Sequence, residues 1–219
     1  MRWSHPVGWP QNLEPHTVDM TNARVILLAG PSGSGKSYVA RRTGLPVLCL
    51  DDFYREGDDP ALPRANGAVD WESALAWDAP AAVSAIGALC RDGIAETPVY
   101  AFGSDSRVGR RVVDLAGSAL FIAEGIFAAE IVADCHTRQL LAAAYALRRP
   151  RAFTYVRRLA RDLAERRKPP GVLVRRGFAL WRAEPAILAR QSLLGAEPAS
   201  ARHVLAGVAA LQAPISPPR

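Results

Sequence analysis

Eight consecutive residues, Gly30-Pro31-Ser32-Gly33-Ser34-Gly35-Lys36-Ser37, constrain this chain more than anything else in it. They match G-x-x-x-x-G-K-[ST] in full, and chemistry explains the spacing. Glycines let the loop fold back so that successive backbone N–H groups point inward at phosphate oxygens. The lysine then reaches the β- and γ-phosphates of a nucleoside triphosphate, and the last hydroxyl ligates Mg²⁺. A glycine-rich turn matching this pattern by accident is expected on the order of once in a hundred such chains or less. Lys36 is one of only two lysines, against 25 arginines, so the accident is rarer still here. Gly30, Ser32, Gly33, Ser34, Gly35, Lys36 and Ser37 are therefore the candidate nucleotide-binding residues.

The flanks suit the loop. Arg24 to Ala29 is short, continuously apolar and stopped by glycine, as a buried parallel strand would be. Lys36 to Arg42 reads as a helix, closed by Gly44 and Pro46. Pro46 to Leu50 is a second apolar run, which completes a βαβ unit. Further on, Asp58 to Gly67 reads as a loop, Trp71 to Arg91 has helical spacing, and Ala119 to Ala123 is another strand-like run. Leu140 to Leu147 fits either a strand or a buried helix, because periodicity does not separate them. Val156 to Arg167 is helical, with Val156, Leu159, Ala160 and Leu163 on one stripe, and Pro169-Pro170-Gly171 ends it. Residues 172 to 195 also read as helical. The class is α/β on a doubly wound, mostly parallel sheet.

Of the 219 residues 49% are hydrophobic, enough for one compact core. The apolar stretches are far too short to span a bilayer, and the N-terminus lacks the basic-then-apolar pattern of a secretory signal. Cys49, Cys90 and Cys135 share no metal-like spacing, and four scattered histidines argue against zinc. A cytoplasmic setting without membrane partners is the expectation. The net charge of +6 is concentrated between Arg148 and Lys168, where nine basic residues face Asp162 and Glu165. Salt bridges at i,i+4 spacing account for some of these charges, and an anionic visitor accounts for the rest. No nucleic-acid module surrounds them, so nucleic acid is not the expected partner.

Acids stand at the two other strand ends. Asp51 and Asp52 follow the second run, and Glu124 follows the Ala119–Ala123 run. Ligands of open α/β sheets bind outside that edge. A carboxylate there can take the proton of an attacking hydroxyl or hold Mg²⁺, with Asp51 the stronger candidate of the pair. The metal-binding candidates are Ser37, Glu124 and Asp51.

The order of the pieces resembles one family. Gly30 to Ser37 is followed by Leu50-Asp51-Asp52-Phe53-Tyr54, Tyr100-Ala101-Phe102, Glu124-Gly125-Ile126, and Arg157-Arg158-Leu159-Ala160-Arg161-Asp162 with Glu165-Arg166. From about residue 24 to 168 the chain is similar to the uridine kinase group of the phosphoribulokinase, uridine kinase and pantothenate kinase superfamily. The resemblance implies a single P-loop kinase domain over 23–212, with an arginine-rich helical lid at about 157–171. Residues 1–22 would be an N-terminal extension and 213–219 a tail. It implies transfer of the γ-phosphoryl group of ATP or GTP, with Mg²⁺, to the 5′-hydroxyl of uridine or cytidine.

In that reading Asp51 is the base, and Lys36, Arg158 and Arg161 act with it. Tyr38 and Arg166 join the nucleotide site. Tyr54, Tyr100 and Phe102 hold the acceptor with Arg158, and Asp70 or Glu72 grips its ribose. The chain departs from the family pattern in three places. Ser73 and Ala74 stand where a proline is expected, no histidine stands near Asp105 where the family's pyrimidine-reading one would fall, and Arg167-Lys168 replace a glycine. Each departure touches acceptor recognition more than nucleotide binding. Rival readings are a kinase of the same superfamily for pantothenate, a sugar or a sugar phosphate, and an ATP-binding regulatory protein without efficient catalysis. A homo-oligomer is compatible with all of them.

Overall fold

The structure, a computed structural model, describes residues 22–65, 67–150, 154, 182 and 184–213. Its frame is a five-stranded sheet of β1 (Arg24–Ala29), β2 (Val47–Cys49), β7 (Leu120–Glu124), β8 (Leu141–Leu147) and β9 (Glu197–Ala199). The strand order is β2-β7-β1-β8-β9, and every pairing in it is parallel. Such strands are covered on both faces, which is why they read as unbroken apolar runs.

Alternation along β1 serves two cores. Val25, Leu27 and Ala29 face one side, with Leu48, Phe121, Ala123, Ile86 and Leu89. Ile26 and Leu28 face the other, with Ile122, Val39, Tyr145 and Val204. The first layer is closed by α2 (Ala79–Asp92) and α3 (Val132–Thr137), the second by α1 (Lys36–Arg42) and α4 (Ala201–Gln212). This is the doubly wound α/β arrangement expected from the sequence.

Local signals set the boundaries. Helix α1 covers the residues expected of it. Helix α2 begins at Ala79 and not near Trp71: the Asp78 carboxylate accepts from the Ala81 N–H, Pro80 lies in the first turn, and Gly93 closes the helix in left-handed conformation. Residues 71–78 instead form turns around a short 3-10 stretch, Ala74–Ala76. The Leu140–Leu147 run resolves as a strand, and residues 184–193 are helical. Within the Asp58–Gly67 loop a minimal hairpin begins, pairing β3 (Arg64–Ala65) with β4 (Ala68–Val69). The larger surprise is a long antiparallel hairpin of β5 (Ile94–Ala101) and β6 (Ser106–Asp114), outside the main sheet. The proposed lid at 157–171 lies outside the described residues.

All three cysteines are free. Burial pushes the Cys49 thiol up to about 12, Cys90 to about 11 and Cys135 to about 12. The nucleophilic thiolate is then roughly a thousandth of each population or less at neutral pH. Iodoacetamide at pH 7.5 is expected to leave the native protein unlabelled and to modify three thiols in guanidinium, as counted by intact mass. Rapid labelling of any one in the native state would contradict this packing.

Candidate active site

Three neighbouring strand ends converge. β1 leads into the Gly30–Ser37 loop. β2 leads into a 3-10 turn, Leu50–Phe53, carrying Asp51 and Asp52. Between them β7 ends on Glu124, which is in register with Cys49 on one side and Leu28 on the other.

The loop is a built cradle. Gly35 caps α1 with φ +92°, a left-handed conformation that a side chain would strain. The buried Lys36 ammonium donates to the carbonyls of Gly30 at 3.0 Å and Pro31 at 3.4 Å. Ser34 is 1% exposed, and its hydroxyl finds no hydrogen-bond partner among the described residues. A buried orphan hydroxyl costs about 1–3 kcal/mol, so its place in this loop fits a bound phosphate. Ser37 Oγ donates to Glu124 Oε1 at 2.6 Å. Burial pushes the Glu124 carboxyl above its ordinary range. Lys36 and the Ser37 hydrogen bond pull it down, and Asp51 pushes it up again.

No group of three or more His, Cys, Asp or Glu side chains gathers as a metal cage among the described residues. Mg²⁺ needs none, since it is usually held through one or two carboxylates plus substrate phosphates and water. The Ser37–Glu124 pair beside the cradle is a donor set of that kind.

Asp51 and Asp52 divide the work at the end of β2. Asp51 Oδ1 accepts from the Ile126 N–H at 3.1 Å, and its other oxygen makes no hydrogen bond among the described residues. Asp52 is buried and faces the β5–β6 hairpin. Its Oδ1 accepts from the Tyr100 N–H at 3.1 Å and its Oδ2 from Arg111 at 2.5 Å. Asp51 thus keeps an oxygen clear of hydrogen bonds among the described residues, whereas both Asp52 oxygens are taken. The turn itself is held by Trp77, whose indole N–H donates to the Leu50 carbonyl at 2.7 Å.

Gly125 lets this turn sit where it does. A Cβ there would lie 2.8 Å from Leu50 Cβ and 2.9 Å from Asp51 Oδ1. Gly125→Ala should push the Leu50–Asp51 turn aside and displace Asp51. A shift of about 1 Å at a reacting group costs on the order of 100-fold in rate, and steady-state turnover beside a thermal melt checks it. Turnover within threefold of the parent would show that Asp51 tolerates the move.

Beside Asp51 lies an aromatic cluster. The Tyr54 ring is 5.7 Å from Trp71, 5.6 Å from Tyr100, 5.5 Å from Phe102 and 5.8 Å from Phe127. Tyr54 donates its hydroxyl to the Trp71 carbonyl at 3.1 Å. The Tyr100 hydroxyl is buried without a partner among the described residues. Burial, Asp105 and Glu56 push it up to about 12 against the pull of Arg107. It is a neutral phenol at any physiological pH.

Tyr54, Tyr100 and Phe102 thus meet in one cluster. Asp70 and Glu72 flank Trp71, and the Asp70 carboxylate accepts from the Glu72 N–H at 3.1 Å. Tyr38 stands on the exposed side of α1, under the Arg42 guanidinium at 5.9 Å, and lines a depression of about 440 Å³ with Arg149 and Arg202. Arg158, Arg161 and Arg166 lie outside the described residues. Sequence reasoning missed Trp71 and Phe127, which join the cluster through Tyr54, and Arg111, which reaches Asp52 only once the hairpin folds over the β2 turn. Nothing in their local spacing marks them.

No protein-family model matches the chain. Among curated proteins, the uridine kinase of Schizosaccharomyces pombe is 34% identical over 148 residues, which cover 64% of this chain and 32% of that protein. The chain thus aligns with about a third of that relative's length. The uridine kinase of Shewanella amazonensis is 26% identical over 153 residues, 65% of this chain and 70% of that protein. A solved structure bearing the name of a fructose transport system kinase, from Silicibacter sp. TM1040, superposes with TM-score 0.57 at 19% identity, over 81% of this chain and 88% of that one. The order of motifs, the parallel sheet and these alignments agree: the chain has the P-loop kinase fold and is similar in sequence to the uridine kinases.

Proposed function

We propose that the chain is a phosphotransferase that moves the γ-phosphoryl group of ATP or GTP to the hydroxyl of a small acceptor, foremost the 5′-OH of uridine or cytidine. The observation that carries this reading is the meeting of three things at one sheet edge. They are the phosphate cradle with its Ser37–Glu124 pair, a singly anchored carboxylate on Asp51, and an aromatic cluster next to it.

Lys36 has alternative partners in the loop carbonyls and would turn to the phosphate oxygens, neutralising charge that develops during transfer. Ser34 would donate its unpartnered hydroxyl to the phosphate chain. Mg²⁺, held by Ser37 and Glu124, would supply charge neutralisation across the phosphates. Asp51, kept in place through Ile126, would orient the acceptor hydroxyl and take its proton. Tyr54, Tyr100 and Phe102 would grip the acceptor's flat face, with Asp70 or Glu72 on its sugar. Arg158, Arg161 and Arg166 would close over the phosphates. A cytoplasmic setting belongs to this reading; no described helix is long and apolar enough to cross a membrane.

The test is ADP release from Mg-ATP and Mg-GTP with a panel of uridine, cytidine, pantothenate, sugars and sugar phosphates. Uridine- or cytidine-dependent release supports the reading. Release with another acceptor alone reassigns the substrate. Nucleotide binding without release from any acceptor favours a regulatory ATP-binding protein.

A further inference from the structure

The Asp52 carboxylate joins two parts of the molecule that the sequence keeps far apart. It belongs to the same 3-10 turn as Asp51, yet both its oxygens are taken by the β5–β6 hairpin: Oδ1 by the Tyr100 N–H and Oδ2 by Arg111. The hairpin ladder is irregular at this point, with a register shift between Val99 and Tyr100. Irregularities of this kind re-aim a side chain and interrupt the ladder's own hydrogen bonds. The Tyr100 N–H sits at the shift, and Asp52 supplies its acceptor.

Arg111 is half-exposed while Asp52 is almost covered. The carboxylate is therefore the desolvated member, and losing Arg111 would leave it with the Tyr100 N–H but without this counter-charge. The ring that this contact aims, Tyr100, lies 5.6 Å from Tyr54 and 5.2 Å from Phe102.

Resting on the kinase reading above, we infer that Asp52 is a positioning residue for the acceptor. With Arg111 it fixes the Tyr100 segment of the hairpin to the turn that carries Asp51. The distance between the acceptor's grip and its base is thereby set by one buried carboxylate. Among the described residues no hydrogen bond or ion pair joins the phosphate cradle to this link, so its effect should fall on one substrate.

The experiment measures initial rates with Mg-ATP and uridine or cytidine for the wild type, Asp52→Ala, Asp52→Asn and Arg111→Met, with thermal melts alongside. Asp52→Ala should raise the acceptor KM about 10- to 100-fold and move the ATP KM less than about twofold. Asp52→Asn keeps an acceptor for the Tyr100 N–H and should recover part of that loss. Arg111→Met, whose own side chain is half-exposed, should raise the acceptor KM about 3- to 10-fold, with the melt reporting whether the fold is kept.

An acceptor KM unchanged in Arg111→Met and in folded Asp52→Ala would overturn the inference while leaving the kinase reading intact. Equal movement of both KM values would overturn it too, as a general loss of structure. A wild type that neither turns over nor calorimetrically binds uridine or cytidine would overturn the uridine–cytidine assignment and this inference together.

Discussion

Asp51→Asn is expected to lower kcat by about 10²- to 10⁴-fold, the usual contribution of a positioned general base. That corresponds to roughly 3–5 kcal/mol of barrier. The substitution is informative because asparagine keeps an oxygen for the Ile126 N–H, which Asp51 Oδ1 now accepts at 3.1 Å. The side chain should stay where it is and lose only the ability to take a proton. Nucleotide affinity should hardly change, because the cradle is built from other residues. Single-turnover release of ADP, with ATP and acceptor both saturating, separates the chemical step from binding. A variant retaining more than about a tenth of the wild-type kcat would remove Asp51 from the role of base.

Lys36→Ala should act on the other side of the reaction. The buried ammonium is the only strong positive charge that the loop itself supplies. Deleting a charged donor aimed at developing negative charge costs on the order of 10²- to 10³-fold in rate. Nucleotide binding should weaken as well, since the same group meets the phosphates in the ground state. Lys36→Arg should rescue little, because a planar guanidinium does not fit where a compact ammonium now contacts Gly30 and Pro31. Titration with a non-hydrolysable ATP analogue, followed by kcat/KM, checks both parts. Full activity in Lys36→Ala would remove Lys36 from the phosphate-handling role.

The parts of the fold that were legible share one property: their signals are local. β1 and α1 are marked by an apolar run, a glycine loop and a glycine stop, and they form within a residue or two of where those marks stand. Leu141–Leu147 was ambiguous because a strand buried on both faces has no period to display. The start of α2 was misjudged, although Asp78 and Pro80 were there to be weighed above the alanine-rich spacing before them. The β5–β6 hairpin left almost no trace. β6 exposes Arg107, Val108, Arg110, Arg111 and Val112, so it lacks the alternation that betrays a half-buried strand.

The candidate site follows the same rule. Lys36, Ser37, Asp51 and Glu124 are each announced by a strand end or a motif. Asp52 and Arg111 meet across 59 positions. Neither residue is unusual where it stands, so only the folded chain reveals the pair.

The path of the chain between β2 and β7 has a wider implication. These strands are neighbours in the sheet, yet everything from Asp52 to Val113 that reaches the aromatic cluster is spelled out between them. The phosphate machinery comes from the segments on either side. On the proposed reading, most of the acceptor's grip thus lies in one stretch of the gene, nested inside the segments that carry the phosphate cradle, with Phe127 the cluster ring beyond β7. A change of acceptor between relatives would then fall mainly within that insert.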